Sequence, residues 1–319
     1  RKNTKKIWCQ TVGKLRTISD FSLETLCGLF GKTRQAYYRH HSYKYVEMAT
    51  EEIVLSLVNE YRSEMGRIGC RKLQHLINDR LPSEMRIGRD ALYALLERNS
   101  LLHRRRRRSV RTTWSNHWMH KYPNLITDII PTSSNQIWVS DITYIETVND
   151  GFVYLHLVTD LYSRRIMGWS LSPTLHSEYT LNALKMAIRN AGCNLAGLIH
   201  HSDRGCQYCC DKYVSLLKSN DISISMTQSG DPLENSVAER VNGIIKNEWL
   251  MHEKIIDLGF ASKRISEIIN TYNNLRPHAS LNYMTPAVAY MNNGIIERKW
   301  KNSYNRERDN KDMIKSLTQ

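Results

Sequence analysis

Residues 200–246 read HHSDRGCQYCCDKYVSLLKSNDISISMTQSGDPLENSVAERVNGIIK, and this stretch decides how the rest of the chain is interpreted. An apolar run ending at Ile199 precedes it, so Asp203 is expected at the carboxyl end of a β-strand. The stretch closes on a predicted helix that carries Glu239. Residues 204–238 separate the two acids, and the sequence therefore predicts a strand-end aspartate and a helical glutamate as candidate partners.

The helix of Glu239 has clear start signals. Asp231 is expected to cap it, Pro232 suits its first position, and Glu234 stands three residues after the cap, as in a capping box. Apolar residues at helical spacing predict a buried face made of Val237, Val241, Ile244 and Ile245. At about 100° per residue, the opposite, outward face collects Asn235, Glu239, Asn242, Gly243 and Lys246.

A third carboxylate comes earlier in the chain. Residues 137–145, IWVSDITYI, are rich in β-branched and aromatic side chains and predict a strand with Asp141 in its middle. Three acids that meet repel one another unless a cation neutralises them, and hard cations such as Mg²⁺ prefer carboxylate oxygens. Asp141, Asp203 and Glu239 are therefore predicted to bind two Mg²⁺ ions, for which Mn²⁺ can substitute.

Three sequence motifs carry a family resemblance. HSDRGCQY (201–208), SGDPLENSVAERVNGIIKNE (229–248) and YNNLRPHASLNYMTP (272–286) resemble the OrfB-type transposases of the insertion-sequence-three family. The spacing of the three acids also resembles the acidic triad of transposases and retroviral integrases. The likeness covers residues 50–290, and Lys246 stands where that family has a basic residue, seven positions after its catalytic Glu.

The resemblance implies a fold, an activity and partners. The fold is α/β, a ribonuclease-H-like (retroviral integrase-like) core with all-helical helix-turn-helix domains at the N-terminus. The implied enzyme cleaves transposon ends and joins the freed 3′-hydroxyl to DNA, with Asp141, Asp203 and Glu239 as catalytic residues and Lys246 on terminal DNA. The implied partners are double-stranded DNA (terminal inverted repeats and target), further copies of the chain in a dimer or larger oligomer on DNA, and a partner reading-frame protein. A copy-out route through a circular intermediate is also implied.

Two alternatives stay open at this point. One is a nuclease of the same fold that cuts DNA without joining it. The other is a DNA-binding regulator whose catalytic fold is inert. An end-joining assay separates the first alternative from a transposase, and loss of metal-dependent activity on removal of an acid separates the second.

The net charge of +14 is concentrated in the N-terminal part of the chain. Residues 1–125 hold 25 of the 45 basic residues but only 11 of the 31 acidic ones, so the remainder is neutral overall. Concentrated positive charge predicts a polyanionic partner such as DNA, and a merely solubilising surface is the alternative. No long apolar run predicts a membrane span, and seven cysteines without pattern fit a reducing cytoplasm, which for a bacterial protein includes the nucleoid.

One helix-turn-helix unit is predicted in this basic part, and a second stretch resembles the second helix-turn-helix module that the same family has before its catalytic core. In residues 22–40 (domain 1–48), Ser22 caps a first helix, Gly31 makes the turn, and a second helix starts at Thr33. Its exposed side chains are expected to read DNA: Arg34, Gln35, Tyr38 and Arg39. A structural helical hairpin is the alternative. The second unit (49–102) has a helix at about 50–64 and short helices in 66–80 and 87–99, with phosphate contacts expected from Arg67, Arg71, Lys72, Arg86 and Arg89.

A basic linker is predicted over residues 103–134. Its five consecutive arginines cannot pack a core, so they predict a disordered linker or an arm along DNA: Arg104, Arg105, Arg106, Arg107 and Arg108. Trp114 and Trp118 follow, and they either stack on an unpaired base or dock the linker on the core.

The catalytic core is predicted over residues 135–292. Strands are expected at 137–147, 151–162, 165–171, 196–201 and 222–226, and helices at 177–191, 211–219, 261–274 and 285–292. Asp160 is interpreted as a structural ion-pair partner of Arg164 or Arg165, and His200 and His201 are kept out of the catalytic set. Zinc at the cysteines 206, 209 and 210 is disfavoured because no second ligand pair exists. Residues 293–319 are predicted to form a polar tail.

Overall fold

The computed structural model describes residues 4–103, 119–127, 129–228 and 232–296, with the side chains of 4–6, 43–47 and 232–233 outside the description. Two compact units emerge from the contacts. The first comprises residues 1–61 and 76–101, and the second comprises 62–75 and 102–319. Among the helices that the structure describes, none has the length and apolar character needed to cross a bilayer.

The first unit is helical. Its helices, two of which continue into the second unit, are α1 (Thr4–Ile18), α2 (Leu23–Gly28), α3 (Arg34–Glu64), α4 (Cys70–Arg80) and α5 (Arg89–Arg98). The predicted cap of α2 is confirmed, because the Ser22 Oγ accepts a hydrogen bond of 3.1 Å from the Thr25 N–H. The predicted turn is confirmed as well: Gly31 has a φ of +64°, a conformation that suits glycine. A small core of Cys9, Val12, Leu23, Leu26, Cys27 and Tyr37 holds α1 to α3 together.

Helix α3 corrects one expectation. The sequence predicts a helix beginning at Thr33 and a separate one at about 50–64, but the structure has a single helix over Arg34–Glu64. The physical reason is that this segment contains neither glycine nor proline, so nothing ends the helix. The predicted boundary between residues 48 and 49 therefore falls inside a continuous helix.

The second unit contains a five-stranded sheet, and its elements follow the predicted order. They are β1 (Ile137–Glu146), β2 (Phe152–Asp160), β3 (Ile166–Ser172), α6 (Ser177–Ala191), β4 (Ile199–Ser202), α7 (Cys206–Cys209), α8 (Asp211–Lys218), β5 (Ser223–Met226), α9 (Ser236–Glu248), α10 (Leu258–Asn274) and α11 (Pro286–Tyr290). The strand order is β3-β2-β1-β4-β5. Strands β1 to β3 pair antiparallel, and β4 and β5 run parallel to β1. The predicted mixed sheet is thus confirmed.

The two faces of the sheet pack against different helices. Trp138 belongs to the large core that α6 and α8 cover. Ile137 and Val139 pack against Ala238 of α9. Because successive strand residues point to opposite faces, Asp141 follows Ile137 and Val139 on the α9 side. The alternation of β1 therefore places the predicted metal ligand beneath the helix that carries Glu239.

Helix α6 lies very close to strand β3. A Cβ atom added to Gly168 would stand 2.1 Å from the Ala183 carbonyl oxygen and 2.6 Å from the Ala187 nitrogen. Only glycine permits this approach of two backbones. Gly192, with a φ of +61°, ends α6 as the sequence predicts.

Candidate active site

Strand pairing brings the two predicted aspartates side by side. The parallel register of β1 and β4 pairs Ser140 with Ser202, so Asp141 and Asp203 occupy the next position on neighbouring strands. Asp141 Oδ1 accepts a hydrogen bond of 2.9 Å from the Ile142 N–H. Asp203 Oδ1 accepts one of 3.0 Å from the Gly205 N–H. Each carboxylate is thus held by the backbone that follows it.

Helix α9 lays its polar face along β1. The Asn235 Nδ2 donates to the Ser140 carbonyl oxygen at 3.0 Å, and the Asn242 Nδ2 donates to Asp141 Oδ2 at 2.8 Å. The prediction that these amides face outward is wrong: both side chains are buried. Val237, Val241, Ile244 and Ile245 cover the adjoining face as expected, although Val237 is only half-buried. The amides point inward because Asp141 and the Ser140 carbonyl need donors from that side.

The start of α9 also differs from the prediction. A 3-10 turn covers Pro232–Asn235, and the α-helix begins only at Ser236, with Asn235 as the capping residue. Glu234 does not form a capping box with the helix; its Oε2 accepts a hydrogen bond from the Gln228 N–H. Asp231 lies outside the described residues. The later start leaves Glu239 in the first turn of α9, where it is exposed and one turn before Asn242.

The three acids act on one another electrostatically. Burial, followed by the negative charge of Asp203, raises the pKa of Asp141 to about 7, and the charge of Glu239 adds to the rise. The hydrogen bonds from Asn242 and Ile142 offset part of the effect. Asp141 therefore holds its proton more tightly than an ordinary aspartate, and a nearby cation would favour its charged form.

The donor chemistry fits a hard divalent cation. The acids present only oxygens, and the buried Asn242 Oδ1 beside them has no hydrogen-bond partner among the residues that the structure describes. Within the described ranges, however, no three Asp, Glu, His or Cys side chains, the predicted triad included, already stand close enough to hold one ion. The two aspartates occupy neighbouring register positions, and the charges of both Asp203 and Glu239 reach Asp141.

Stability without metal should report the ionisation of Asp141. Its pKa is 3.8 in an unfolded chain and about 7 in the folded one, so the folded state loses stability as pH rises from about 4 through 7. Asp141→Asn cannot ionise. In chelator at pH 8, we therefore expect it to be more stable than the wild type by ~2 kcal/mol. Thermal melts from pH 4 to 8 measure the difference, which should vanish at pH 4. Equal melting temperatures at pH 8 would contradict the repulsion described above.

Lys246 lies near Asp141, over an aromatic ring. Its Nζ is 3.8 Å from the centroid of the Tyr144 ring, which also makes an edge contact with Phe152. Burial lowers the pKa of Lys246, and the charge of Asp141 partly offsets this. Tyr144 was not among the predicted site residues. Its only signal in the sequence is its position three residues after Asp141.

The other predicted DNA contacts differ in their surroundings. Arg34, Gln35, Tyr38, Arg39, Arg71 and Arg86 are exposed, as is Arg89, which pairs with Asp90. The Arg67 Nη1 contacts the His252 ring nitrogens at 2.9 and 2.6 Å. The Lys72 Nζ lies 3.8 Å from Glu248 Oε1, and burial, reinforced by the charge of Arg276, lowers the pKa of Lys72 to about 8. Arg104 to Arg108, Trp114 and Trp118 lie outside the described residues, as does the chain after residue 296.

Asp160 is structural, as expected, but it works mainly through hydrogen bonds. Its carboxylate accepts from the Ser163 N–H at 2.7 Å, the Ser163 hydroxyl at 2.6 Å and the Asn135 N–H at 2.8 Å. Arg164 adds only an electrostatic attraction that lowers the pKa of Asp160 against the larger effect of burial, which raises it. The carboxylate therefore fixes the turn between β2 and β3.

His200 and His201 are buried and neutral. His200 Nε2 contacts the Ser140 hydroxyl at 2.8 Å and the Tyr213 hydroxyl at 2.9 Å, and His201 Nδ1 contacts the Ser225 hydroxyl at 2.8 Å. Burial lowers the pKa of His200 to about 3 and that of His201 to about 4. Neither supplies a proton acceptor tuned to neutral pH. In the described part of the chain, the cysteines near them form no cluster that could hold zinc.

Comparison with known proteins agrees with this geometry. The integrase core domain family matches residues 131–232, and a second integrase core domain family matches residues 220–286. The insertion element IS600 uncharacterized 31 kDa protein of Shigella sonnei is 33% identical, over 82% of this chain and 96% of that protein. Transposase InsF for insertion sequence IS3A of Escherichia coli is 26% identical, over 84% of this chain and 93% of that protein. This chain belongs to the insertion-sequence-three family of transposases.

The family settles the fold class and the broad activity of the transposase. Its core is ribonuclease-H-like, as the sheet order and the integrase matches agree, and it is a DNA transposase of the polynucleotidyl-transferase type. An integrase-type core depends on a divalent metal and acts on DNA. Among solved structures, the HTLV-2 integrase catalytic core domain in complex with magnesium is 22% identical, with a TM-score of 0.40, over 50% of this chain and 99% of that one.

Proposed function

We propose that this transposase uses Asp141, Asp203 and Glu239 to hold two Mg²⁺ ions, cleave transposon ends and join each freed 3′-hydroxyl to target DNA. The observation that carries the proposal is the meeting of β1, β4 and α9 around Asp141. Asp203 stands at the neighbouring register position, and its charge and that of Glu239 both raise the pKa of Asp141.

The chain's own residues prepare the site in a defined way. Asp141 and Asp203 would hold the ions, with Glu239 completing the set, and Asn242 orients Asp141 through its hydrogen bond of 2.8 Å. When bound, the ions supply charge that stabilises the attacking and leaving oxygens of an in-line displacement, and Mn²⁺ offers similar chemistry. The same site serves water and a 3′-hydroxyl because neither step relies on a histidine base, and the two nearby histidines are buried and neutral.

The DNA contacts are proposed in two groups. Lys246 would contact the terminal nucleotides, held near Asp141 by the Tyr144 ring. Helices α1 to α5 would grip the terminal repeats through the exposed side chains Arg34, Gln35, Tyr38, Arg39 and Arg71. Arg67 and the arginines 104–108 are proposed as further phosphate contacts. Target DNA, an oligomer of the chain on DNA, and a partner reading-frame protein complete the proposed assembly.

Lys246→Ala tests the terminal contact. We expect it to weaken binding of a transposon-end duplex about tenfold and to reduce the salt slope by about 1, because one phosphate contact is lost. Tyr144→Phe keeps the aromatic face and should bind normally. Fluorescence anisotropy over a salt series measures both values. Lys185→Ala is the matched control, since Lys185 is an exposed lysine on α6, across the sheet. An unchanged affinity and slope for Lys246→Ala would remove this residue from the DNA path.

The proposed activity itself is tested on labelled transposon-end DNA with Mg²⁺. The expected products are a strand cut at the end and, with a pre-cut 3′-hydroxyl end, a covalent joint to a second duplex. Cutting without joining would show a nuclease and overturn the proposal. DNA binding without any metal-dependent product would show an inert binding protein and overturn it equally.

A further inference from the structure

An acid ends the helix that carries Glu239. Glu248 is the last residue of α9, where the negative end of the helix dipole disfavours a carboxylate. Its side chain is 15% exposed, so water does little to offset that cost. Glu248 must therefore be stabilised by specific partners, and two basic side chains of the described residues lie within 3.8 Å of its carboxylate.

The first partner is Arg276, which belongs to the motif at residues 272–286. The guanidinium grips the carboxylate with two parallel hydrogen bonds of 2.7 Å, from Nε to Oε2 and from Nη2 to Oε1. Only 1% of the Arg276 side chain is exposed. Burial raises the pKa of Glu248, but the hydrogen bonds and charge of Arg276 outweigh it and leave that pKa below its ordinary value. This two-point geometry fixes the direction of the carboxylate as well as its charge.

His278 and the turn around it hold Arg276 in place. The Arg276 Nη1 donates to His278 Nε2 at 2.9 Å, and burial keeps His278 neutral by lowering its pKa well below the ordinary value. The backbone of His278 is bonded in turn to residues 281, 283 and 284. The residues from Arg276 to His278 therefore form a rigid bracket at the end of α9.

The second partner of Glu248 comes from α4. Lys72 Nζ lies 3.8 Å from Glu248 Oε1, and next to it the Trp249 Nε1 donates to the Glu64 carbonyl oxygen at 2.9 Å. Residues 64 and 72 belong to the same compact unit as α9. The helix end is thus fixed from two sides.

The bracket affects the active site because one rigid helix, α9, carries both Glu248 and Glu239. Glu248 lies nine positions after Glu239, about 13 Å along the helix. A slip of one residue along the axis is about 1.5 Å with a rotation of about 100°, which would take Asn242 from Asp141 and turn Glu239 away. We propose that Arg276 is a positioning residue for Glu239, acting through Glu248 to fix the axial position and rotation of α9. This inference rests on the proposed metal-holding role of the three acids.

Metal affinity tests the inference directly. Arg276→Lys keeps the charge but loses the two-point grip, and the double variant E248Q/R276Q removes both charges together. Mn²⁺ binding to the chain on transposon-end DNA is measured by electron paramagnetic resonance, beside the Mg²⁺ concentration for half-maximal cleavage. We expect the Mn²⁺ dissociation constant and the half-maximal Mg²⁺ concentration each to rise about tenfold. This is the size typical of losing a group that supports a metal ligand. Arg276→Lys and E248Q/R276Q should give the same change, because the two residues act as one unit.

The chain offers a matched control. Arg264 makes the same two-point contact with Glu253, at 2.7 Å for each bond, but on α10 and with 26% and 31% of the two side chains exposed. Arg264→Lys should change neither metal affinity nor cleavage.

The outcomes are distinct. Arg276→Lys could lower the melting temperature and the folded fraction while leaving the Mn²⁺ affinity of each folded molecule unchanged. That result would make Arg276 merely structural and would overturn the inference. Arg276→Lys still provides a positive charge beside Glu248. The measurement of Mn²⁺ affinity on this variant therefore does not depend on whether the double variant folds. A wild type that binds no Mn²⁺ and makes no product would instead defeat the proposed function, whatever the variants do.

Discussion

Asp203→Asn is expected to abolish end cleavage and joining together, with each rate falling by about 10³-fold or more. The substitution keeps the shape of the side chain and its acceptor for the Gly205 N–H, but it removes the negative charge next to Asp141. A metal at such a site supplies several kcal/mol of transition-state stabilisation, and about 1.4 kcal/mol corresponds to each tenfold in rate. Gel assays on labelled ends, with cut and pre-cut substrates, measure both steps.

Binding of end DNA should survive this change, and so should folding. Asp221→Asn is the control for loss of one negative charge, because Asp221 is exposed and has a φ of +55°, which asparagine also accepts. It should leave both rates unchanged. If Asp203→Asn kept its metal-dependent activity, the carboxylate would have no part in the chemistry and the acidic set would have to be sought elsewhere.

Gly168→Ala should have the largest effect on stability. Its new methyl group would stand 2.1 Å from the Ala183 carbonyl oxygen and 2.6 Å from the Ala187 nitrogen, and both are backbone atoms that cannot rotate away. Helix α6 would have to lift from β3, at a cost of about 3 kcal/mol or more, the upper range for overpacking. Urea unfolding followed by circular dichroism measures the loss.

Gly243→Ala provides the opposite control for that measurement. Gly243 lies within α9, where the nearest atom to an added Cβ would be the Asn247 side-chain nitrogen at 3.8 Å. Alanine there should raise the unfolding free energy by about 0.5–1 kcal/mol, since it favours the helix. A Gly168→Ala protein as stable as the wild type would mean that α6 and β3 are not packed as described.

Local patterns predicted much of the core. The strands of the sheet and helix α6 were identifiable because β-branched runs and a glycine end signal act within a few residues, and the structure confirms them within one to three residues at most ends. Helix α1 was missed because it lies in a basic, polar stretch with few apolar residues, among them Cys9 and Val12 in the small core. The continuity of α3 was missed because the absence of a breaker is a weaker signal than its presence.

The contacts of the site itself were less accessible. Asp141 and Asn242 are 101 positions apart, so their hydrogen bond depends on how α9 docks on β1 and not on any local preference. The same holds for Lys72, which the sequence places among phosphate contacts and the structure places beside Glu248. Charge alone does not tell whether a lysine meets DNA or a buried acid. Tertiary partners decide between these two roles.

The docking of α9 on β1 has a consequence for biosynthesis. As the polypeptide leaves the ribosome, β1 to β3 can pair early because they are neighbours in the chain, but the helix that brings Glu239 is made almost a hundred residues after Asp141. An incomplete nascent chain therefore lacks one of the three acids, and the bracket at Arg276 is translated later still. A nascent chain therefore cannot hold the proposed metal ions until α9 has been made and has packed on β1.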